Sequence, residues 1–302
     1  MNNNFFEIRK KFYDHIYNRD IITQIVGAHN AIGSYLIEKN NFEGVWASGF
    51  EISASYGIPD ANLLGLTEML SEVKKIINGC SLPVLVDADT GFGDIFGIKR
   101  AIEEFESIGA AGVCIEDKVY PKTNSFIKGR QKMMDVDLFS QKIYTAKESK
   151  KDPYFLIVAR IESLISGESI DNALFRANQY KEAGADVILI HSKSATSDEV
   201  FRFSNLWDLS LPLIIIPTTY PNIKISEIIE NKVSAAIYAN QGLRSSVLAM
   251  NQVLMRLRNG ELRDINDHCA SIEDIFEIQK MLDMISFEKK IKNQISMSIE
   301  RL

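Results

Sequence analysis

Cysteine is scarce here: the 302 residues hold three, Cys80, Cys114 and Cys269. They lie far apart, with no CxxC and no Cys/His metal spacing, which speaks against a disulfide framework and against a zinc site. A reducing, cytoplasmic setting suits them. No apolar run approaches the ~20 residues of a membrane span, and the opening MNNNFFEIRKKFYDHIY lacks the apolar core of a signal peptide. Charge of one sign is also missing as a block. The formal net charge is -6, with acidic and basic residues mixed throughout, so there is no basic stripe for nucleic acid and no polybasic membrane patch. Local groups must hold any anionic substrate.

What the chain does have is a repeat of short apolar runs that end in polar or charged residues. Ile22 to Ala28, Gly44 to Gly49, Leu82 to Val86, Val113 to Ile115, Tyr154 to Ala159, Val187 to Ile190, Leu213 to Ile216 and Ala235 to Ala239 each have strand length. Helical periodicity fills the intervals, as over Leu63 to Ile77, where Gly79 is expected just past the end, and over Val136 to Ser149. Thr196-Ser197-Asp198-Glu199 has the capping-box pattern ahead of another helix. Eight such units predict an α/β fold, a (β/α)8 TIM-type barrel whose strands are apolar because both faces are buried. A doubly wound sheet would want a Gly-rich phosphate turn after the first strand, and His29-Asn30-Ala31 is not one. A single barrel domain over 1–302 is expected. It would carry an N-terminal helix (about 5–20) on the outside of the body and a C-terminal helical extension (about 271–302), with Ser271 to Ile291 as one long helix.

Barrel enzymes draw their chemistry from the C-terminal ends of the strands. Those ends offer Ser48 and Gly49, Asp87 and Asp89, Glu116, Arg160 and His191, with Asp60 and a loop carrying Lys122 and Asn124 arching above. Alternation puts Asp87 and Asp89 on one side, where they repel unless a cation lies between them. Four carboxylates with no soft ligand nearby point to a hard divalent cation, Mg²⁺ held partly through water. Bland readings stand beside this one: a capped loop for the Asp pair, a barrel-mouth ion pair for Arg160 and Glu162, a core position for His191 and for Cys114. Lys193, after the sixth strand, could instead be a Schiff-base lysine.

At these residues the chain resembles the phosphoenolpyruvate mutase and isocitrate lyase superfamily, and its mutase branch most. The resemblance rests on Ala28 to Asn30 (AHN), Gly44 to Phe50 (GVWASGF), Asp60 in GIPDAN, Val86 to Asp94 (VDADTGFGD), Glu116 to Phe126 (EDKVYPKTNSF), Val158 to Ser163 (VARIES), Ile188 to Ser194 (ILIHSKS) and Ala239 to Val247 (ANQGLRSSV). It implies interconversion of phosphoenolpyruvate and 3-phosphonopyruvate with Mg²⁺. Asp87 would be the direct ligand, with Asp60, Asp89 and Glu116 acting through water. The pyruvyl oxygens would meet the backbone around Ser48, Gly49 and Phe50, and Trp46 would flank the pyruvyl plane. Arg160, His191 and Asn124 would hold the phosphoryl group, under a lid of Lys122 to Phe126 that includes Ser125. The family also implies a last helix swapped between subunits, hence a homodimer or homotetramer.

Two segments, GFEISASYGIPDAN and PTTYP, look more like the related phosphonopyruvate hydrolase, whose lid resembles PKDTS with Thr at the position of Asn124. The lid here reads PKTNS, the mutase version. Lyases of the superfamily carry a catalytic Cys in a KKCGH-type lid, and this lid has none. A sensor that binds phosphoenolpyruvate without turnover is the non-enzymatic alternative.

Overall fold

Period-two alternation along each apolar run decides which side chains face the barrel axis. In the computed structural model, which describes residues 3–127, 129, 131–207, 210–261, 263 and 265–299, eight parallel strands close in sequence order. They are β1 Thr23–Ala28, β2 Gly44–Ala47, β3 Val84–Asp87, β4 Gly112–Glu116, β5 Leu156–Ile161, β6 Val187–Ile190, β7 Leu213–Ile215 and β8 Ala235–Tyr238. One set of positions, including Ile25, Trp46, Leu85, Cys114, Val158, Leu189 and Ile237, forms a dry cluster. Their neighbours, including Val45, Val86, Val113, Ile157 and Ile188, pack in a second cluster with helical residues such as Ile98, Phe139 and Ala177. This is the layering a filled barrel requires, with the axis packed and the outer strand faces covered by helices.

The N-terminal helix, Asn3–Tyr17, packs one stripe onto the barrel and leaves the other face exposed, as its amphipathic pattern predicts, and that stripe meets the axis cluster. Phe12 and Ile16 are fully buried and belong to the same cluster as the axis residues Ile25, Trp46 and Leu85. Arg9 fastens the helix by donating to the carbonyls of Ala110 and Glu106 and pairing with Asp152 at 3.0 Å. An apolar stripe of a single helix can cover an open barrel end as well as an outer face, and periodicity does not tell the two apart.

Other expectations change in detail. Residues after β2 form a short helix, Gly49–Ser55, which Ser48 caps by accepting from the Glu51 amide. Gly79 ends the helix Leu66–Gly79 from within; a Cβ there would lie 2.3 Å from Ser34 Oγ and 2.5 Å from the Ala31 carbonyl, so close packing explains the glycine. The capping box at 196–199 does not form: Ser197 makes no side-chain cap, and Glu199 accepts from the Ser192 hydroxyl instead.

The chain divides into two compact units, Met1–Leu243 and Arg244–Leu302. In the second, the stretch expected as one helix is two, Ile272–Ile278 and Met281–Ile299, parted at Lys280, whose φ of 54° no helix accommodates. Residues 300–302 of the expected extension lie outside the described residues. Leu248, Leu254, Met255, Leu282, Met284 and Phe287 of this unit are exposed. No described helix is long and apolar enough to cross a membrane.

Candidate active site

The inward alternation continues past the apolar part of each strand, and polar side chains then take over the axis. After Leu85 comes Asp87, after Cys114 comes Glu116, after Val158 come Arg160 and Glu162, after Leu189 comes His191, and after Trp46 comes Ser48. Register pairs Glu116 with Arg160 across β4 and β5. The resulting cavity, about 520 Å³ including its open mouth, is lined by Trp46, Ser48, Phe50, Asp60, Asp87 and Glu116. Lys122, Asn124, Ser125, Arg160 and His191 line it as well. Gly49 and Asp89 complete the residues expected from sequence. They meet this wall through Asp87 and Lys122: the Gly49 amide donates to Asp87 Oδ2 at 3.3 Å, and Lys122 Nζ lies 2.5 Å from Asp89 Oδ1.

Two charge clusters divide the cavity. The first is acidic. Lys122 Nζ lies 2.8 Å from Asp60 Oδ1 as well as against Asp89, and the Asn124 amide donates to Asp60 Oδ2 at 2.9 Å. Asn62 ties the same layer together, donating to Asp89 Oδ2 at 3.1 Å and accepting from the Lys122 amide at 2.5 Å. Burial pushes the Asp87 carboxyl up and raises Asp89 to about 7, with neighbouring carboxylates adding to the effect. Burial acts the same way on Asp60, but the Lys122 ammonium and the Asn124 amide outweigh it and hold that carboxyl low.

The second cluster is cationic and centres on a carboxylate. Arg160 Nε donates to Glu162 Oε1 at 2.5 Å, and His191 Nδ1 lies 2.7 Å from the same oxygen and 2.9 Å from Arg160 Nη2. Burial pushes the His191 ring down, with Glu162 opposing. Lys118, buried to 2% exposure, was not singled out from sequence, and neither were Thr218 and Asn240 on the cavity wall, which Phe126 of the expected lid also lines. The signal for Glu162 and Lys118 was available: each stands two residues beyond an inward-facing neighbour, Arg160 and Glu116.

The loop over the cavity has a pinned neck. Lys118 bridges Met133 in antiparallel sense, Val119 N donates to the Lys132 carbonyl, and Met134 N donates to that of Asp117. Inside the loop Asn124 is the organiser: its side-chain oxygen accepts from the Phe126 amide, and its carbonyl accepts from the Ile127 amide and Gln131 Nε2.

Does the acidic cluster suit a metal? Both side-chain oxygens of buried Glu116 lack a hydrogen bond, and its salt-bridge partner Arg160 Nη2 stands 3.5 Å away. Such a carboxylate wants a cation or water. Among the described residues no three His, Cys, Asp or Glu side chains converge as a direct cage. Mg²⁺ does not need one, since it retains most of its waters and takes one or two carboxylates. The donors, all oxygen, fit that ion.

Comparison with known proteins places this geometry. Residues 16–258 match the family described as phosphoenolpyruvate phosphomutase. A phosphonopyruvate hydrolase from Variovorax sp. (strain Pal2) is 38% identical over 257 residues, 84% of this chain and 89% of the relative. The crystal structure of a phosphoenolpyruvate phosphomutase from Streptomyces platensis subsp. rosaceus superimposes with a TM-score of 0.91 at 38% identity, covering 93% of this chain and 98% of that one. A phosphonopyruvate hydrolase solved with oxalate and Mg²⁺ gives a TM-score of 0.87 at 33% identity, with the same coverage.

Proposed function

Because the chain belongs to the phosphoenolpyruvate phosphomutase family, we propose that it is a mutase that interconverts phosphoenolpyruvate and 3-phosphonopyruvate, the step that makes the carbon–phosphorus bond opening phosphonate biosynthesis. The observation that carries this reading is the seated lid, in which Asn124 and Lys122 both end on Asp60 over the cavity. An intramolecular transfer must keep water from the phosphoryl group, and a lid locked on its own acidic wall does that.

In this reading Arg160 and His191 grip the phosphoryl oxygens while the group leaves C3 of phosphonopyruvate. The bonding pair stays behind as an enolate, whose oxygen then captures the phosphorus. A loose transfer of this kind asks for position and charge rather than a strong base. Asp87 would hold Mg²⁺ directly, with Asp60, Asp89 and Glu116 reaching it through water. When bound, the ion supplies positive charge to the pyruvyl oxygens. Trp46, packed at the base of the cavity, supports the flat pyruvyl unit, and Ser48, Gly49 and Phe50 border it.

Hydrolysis of phosphonopyruvate is the second reading, favoured by the 38% identical hydrolase relative and by the GFEISASYGIPDAN and PTTYP segments. The lid residue Asn124 is what weighs toward the mutase. Product analysis with phosphonopyruvate and Mg²⁺ separates the two: phosphoenolpyruvate assigns the mutase, while pyruvate with inorganic phosphate assigns the hydrolase. We also propose a cytoplasmic homodimer or homotetramer built by exchange of the last helix. The exposed apolar residues of 244–302, which a lone chain would leave in water, support it.

A further inference from the structure

Glu162 is fully buried, with 0% of the residue exposed, and it does not line the cavity. Its two oxygens serve different parts of the molecule. Oε1 takes Arg160 Nε at 2.5 Å and His191 Nδ1 at 2.7 Å. Oε2 takes the Ser125 hydroxyl at 2.7 Å and Lys118 Nζ at 2.9 Å. Ser125 in turn accepts from Lys118 Nζ at 2.6 Å, and Lys118 also donates to the Thr123 carbonyl at 3.1 Å. One carboxylate therefore joins the phosphoryl-gripping pair to the lid, beside a longer direct contact in which Arg160 Nη2 donates to the Ser125 hydroxyl at 3.4 Å.

The backbone of Glu162 is itself held from behind. Asp117 Oδ1 accepts from the Glu162 amide at 2.9 Å, while Asp117 Oδ2 takes the Tyr180 hydroxyl at 2.8 Å and Arg176 Nη1 at 3.3 Å. Those last two residues stand on the helix Ile170–Glu182, so Glu162 has a rigid mount on the outer layer.

We infer that Glu162 is a positioning residue that couples lid closure to the geometry of Arg160 and His191. The inference rests on the proposed function for the identity of the anion, but not for the coupling itself. A buried carboxylate that loses one of its partners is costly. Lifting the lid takes Ser125 from Oε2 and frees Lys118 and the carboxylate to shift, and Arg160 and His191 shift with them. Coupling is reciprocal, so an anion that fixes Arg160 and His191 also seats the lid.

The test is amide hydrogen exchange over residues 119–127 in the full chain, with wild type, Glu162→Gln, Ser125→Ala and the double variant. The ligand-free protein is measured first. Each single change should speed lid exchange by about tenfold or more, as expected for losing a hydrogen bond to a charged group. Ser125→Ala should have a smaller effect in the Glu162→Gln background than in wild type, because the two changes share the Ser125–Glu162 link. With saturating phosphonopyruvate and Mg²⁺, wild type should gain lid protection and Ser125→Ala should gain much less. Lid exchange unchanged in a folded Glu162→Gln protein, or effects that multiply in the double variant, would overturn the coupling. Should Glu162→Gln fail to fold, Ser125→Ala alone decides, with unchanged lid exchange counting against. The ligand-free arm is read without turnover, so absence of mutase chemistry would remove the proposed function and leave this inference to be judged separately.

Discussion

Asn124 donates its side-chain amide to Asp60 Oδ2 over 2.9 Å, while its side-chain oxygen accepts from the Phe126 amide two residues on. One residue therefore shapes the lid turn and also moors it to the acidic wall. Asn124→Ala removes both bonds without adding bulk. Turnover of phosphonopyruvate to phosphoenolpyruvate should fall by roughly 10²-fold, the size expected when reacting groups are misplaced by about an ångström. Circular dichroism should show the fold intact. Asn124→Thr, which keeps a small polar group but loses the amide, should raise the share of product appearing as inorganic phosphate. Unchanged turnover in Asn124→Ala would remove the lid from the mechanism.

Asp87 is 5% exposed and lies under the Gly49 amide at the end of β3. If it is the direct ligand, Asp87→Asn should weaken Mn²⁺ binding, followed by the loss of the free-ion signal in electron paramagnetic resonance. The loss should exceed the roughly 10–100-fold typical of residues that only support a ligand. Chelator should abolish turnover in wild type, and excess Mg²⁺ should restore it. Equal Mn²⁺ affinity in the variant would move the ion elsewhere.

Phe12 packs against the barrel axis from the N-terminal helix, 1% exposed. Phe12→Ala leaves a cavity there and should cost about 3–5 kcal/mol in urea unfolding. Were Phe12 not packed on the axis, the cost would be near that of a surface change, within about 0.5 kcal/mol.

Cys114 lies on the axis beneath Asp87 and Glu116, and burial pushes its thiol well above the usual range. A thiol reagent at pH 8 should leave it unmodified in the native protein and label it in urea. The thiolate is the reactive species, and here it is both rare and unreachable. Rapid native labelling at Cys114 would contradict the packed axis.

How much of this was legible in the residues follows from what each signal measures. Apolar runs that end in charge mark the C-terminal ends of strands, and Asp87, Glu116, Arg160 and His191, which stand at such ends, line the cavity. Carried two residues past Arg160, strand alternation reaches Glu162, whose pairing was legible only as a bland ion pair. Its division between lid and anion grip depends on Ser125, 37 residues away in sequence. Periodicity also reports that Phe12 and Ile16 share a helical face, but not that the face closes a barrel end. The break at Lys280 rests on a single positive φ inside an otherwise helical pattern, which composition does not mark.

The most direct test of the central claim is ³¹P NMR of the purified protein with phosphonopyruvate and Mg²⁺. A mutase converts the phosphonate resonance into that of phosphoenolpyruvate with no growth of inorganic phosphate, and starting from phosphoenolpyruvate the same mixture is approached from the other side. Accumulation of inorganic phosphate with stoichiometric pyruvate, and no phosphoenolpyruvate at any time, would contradict it.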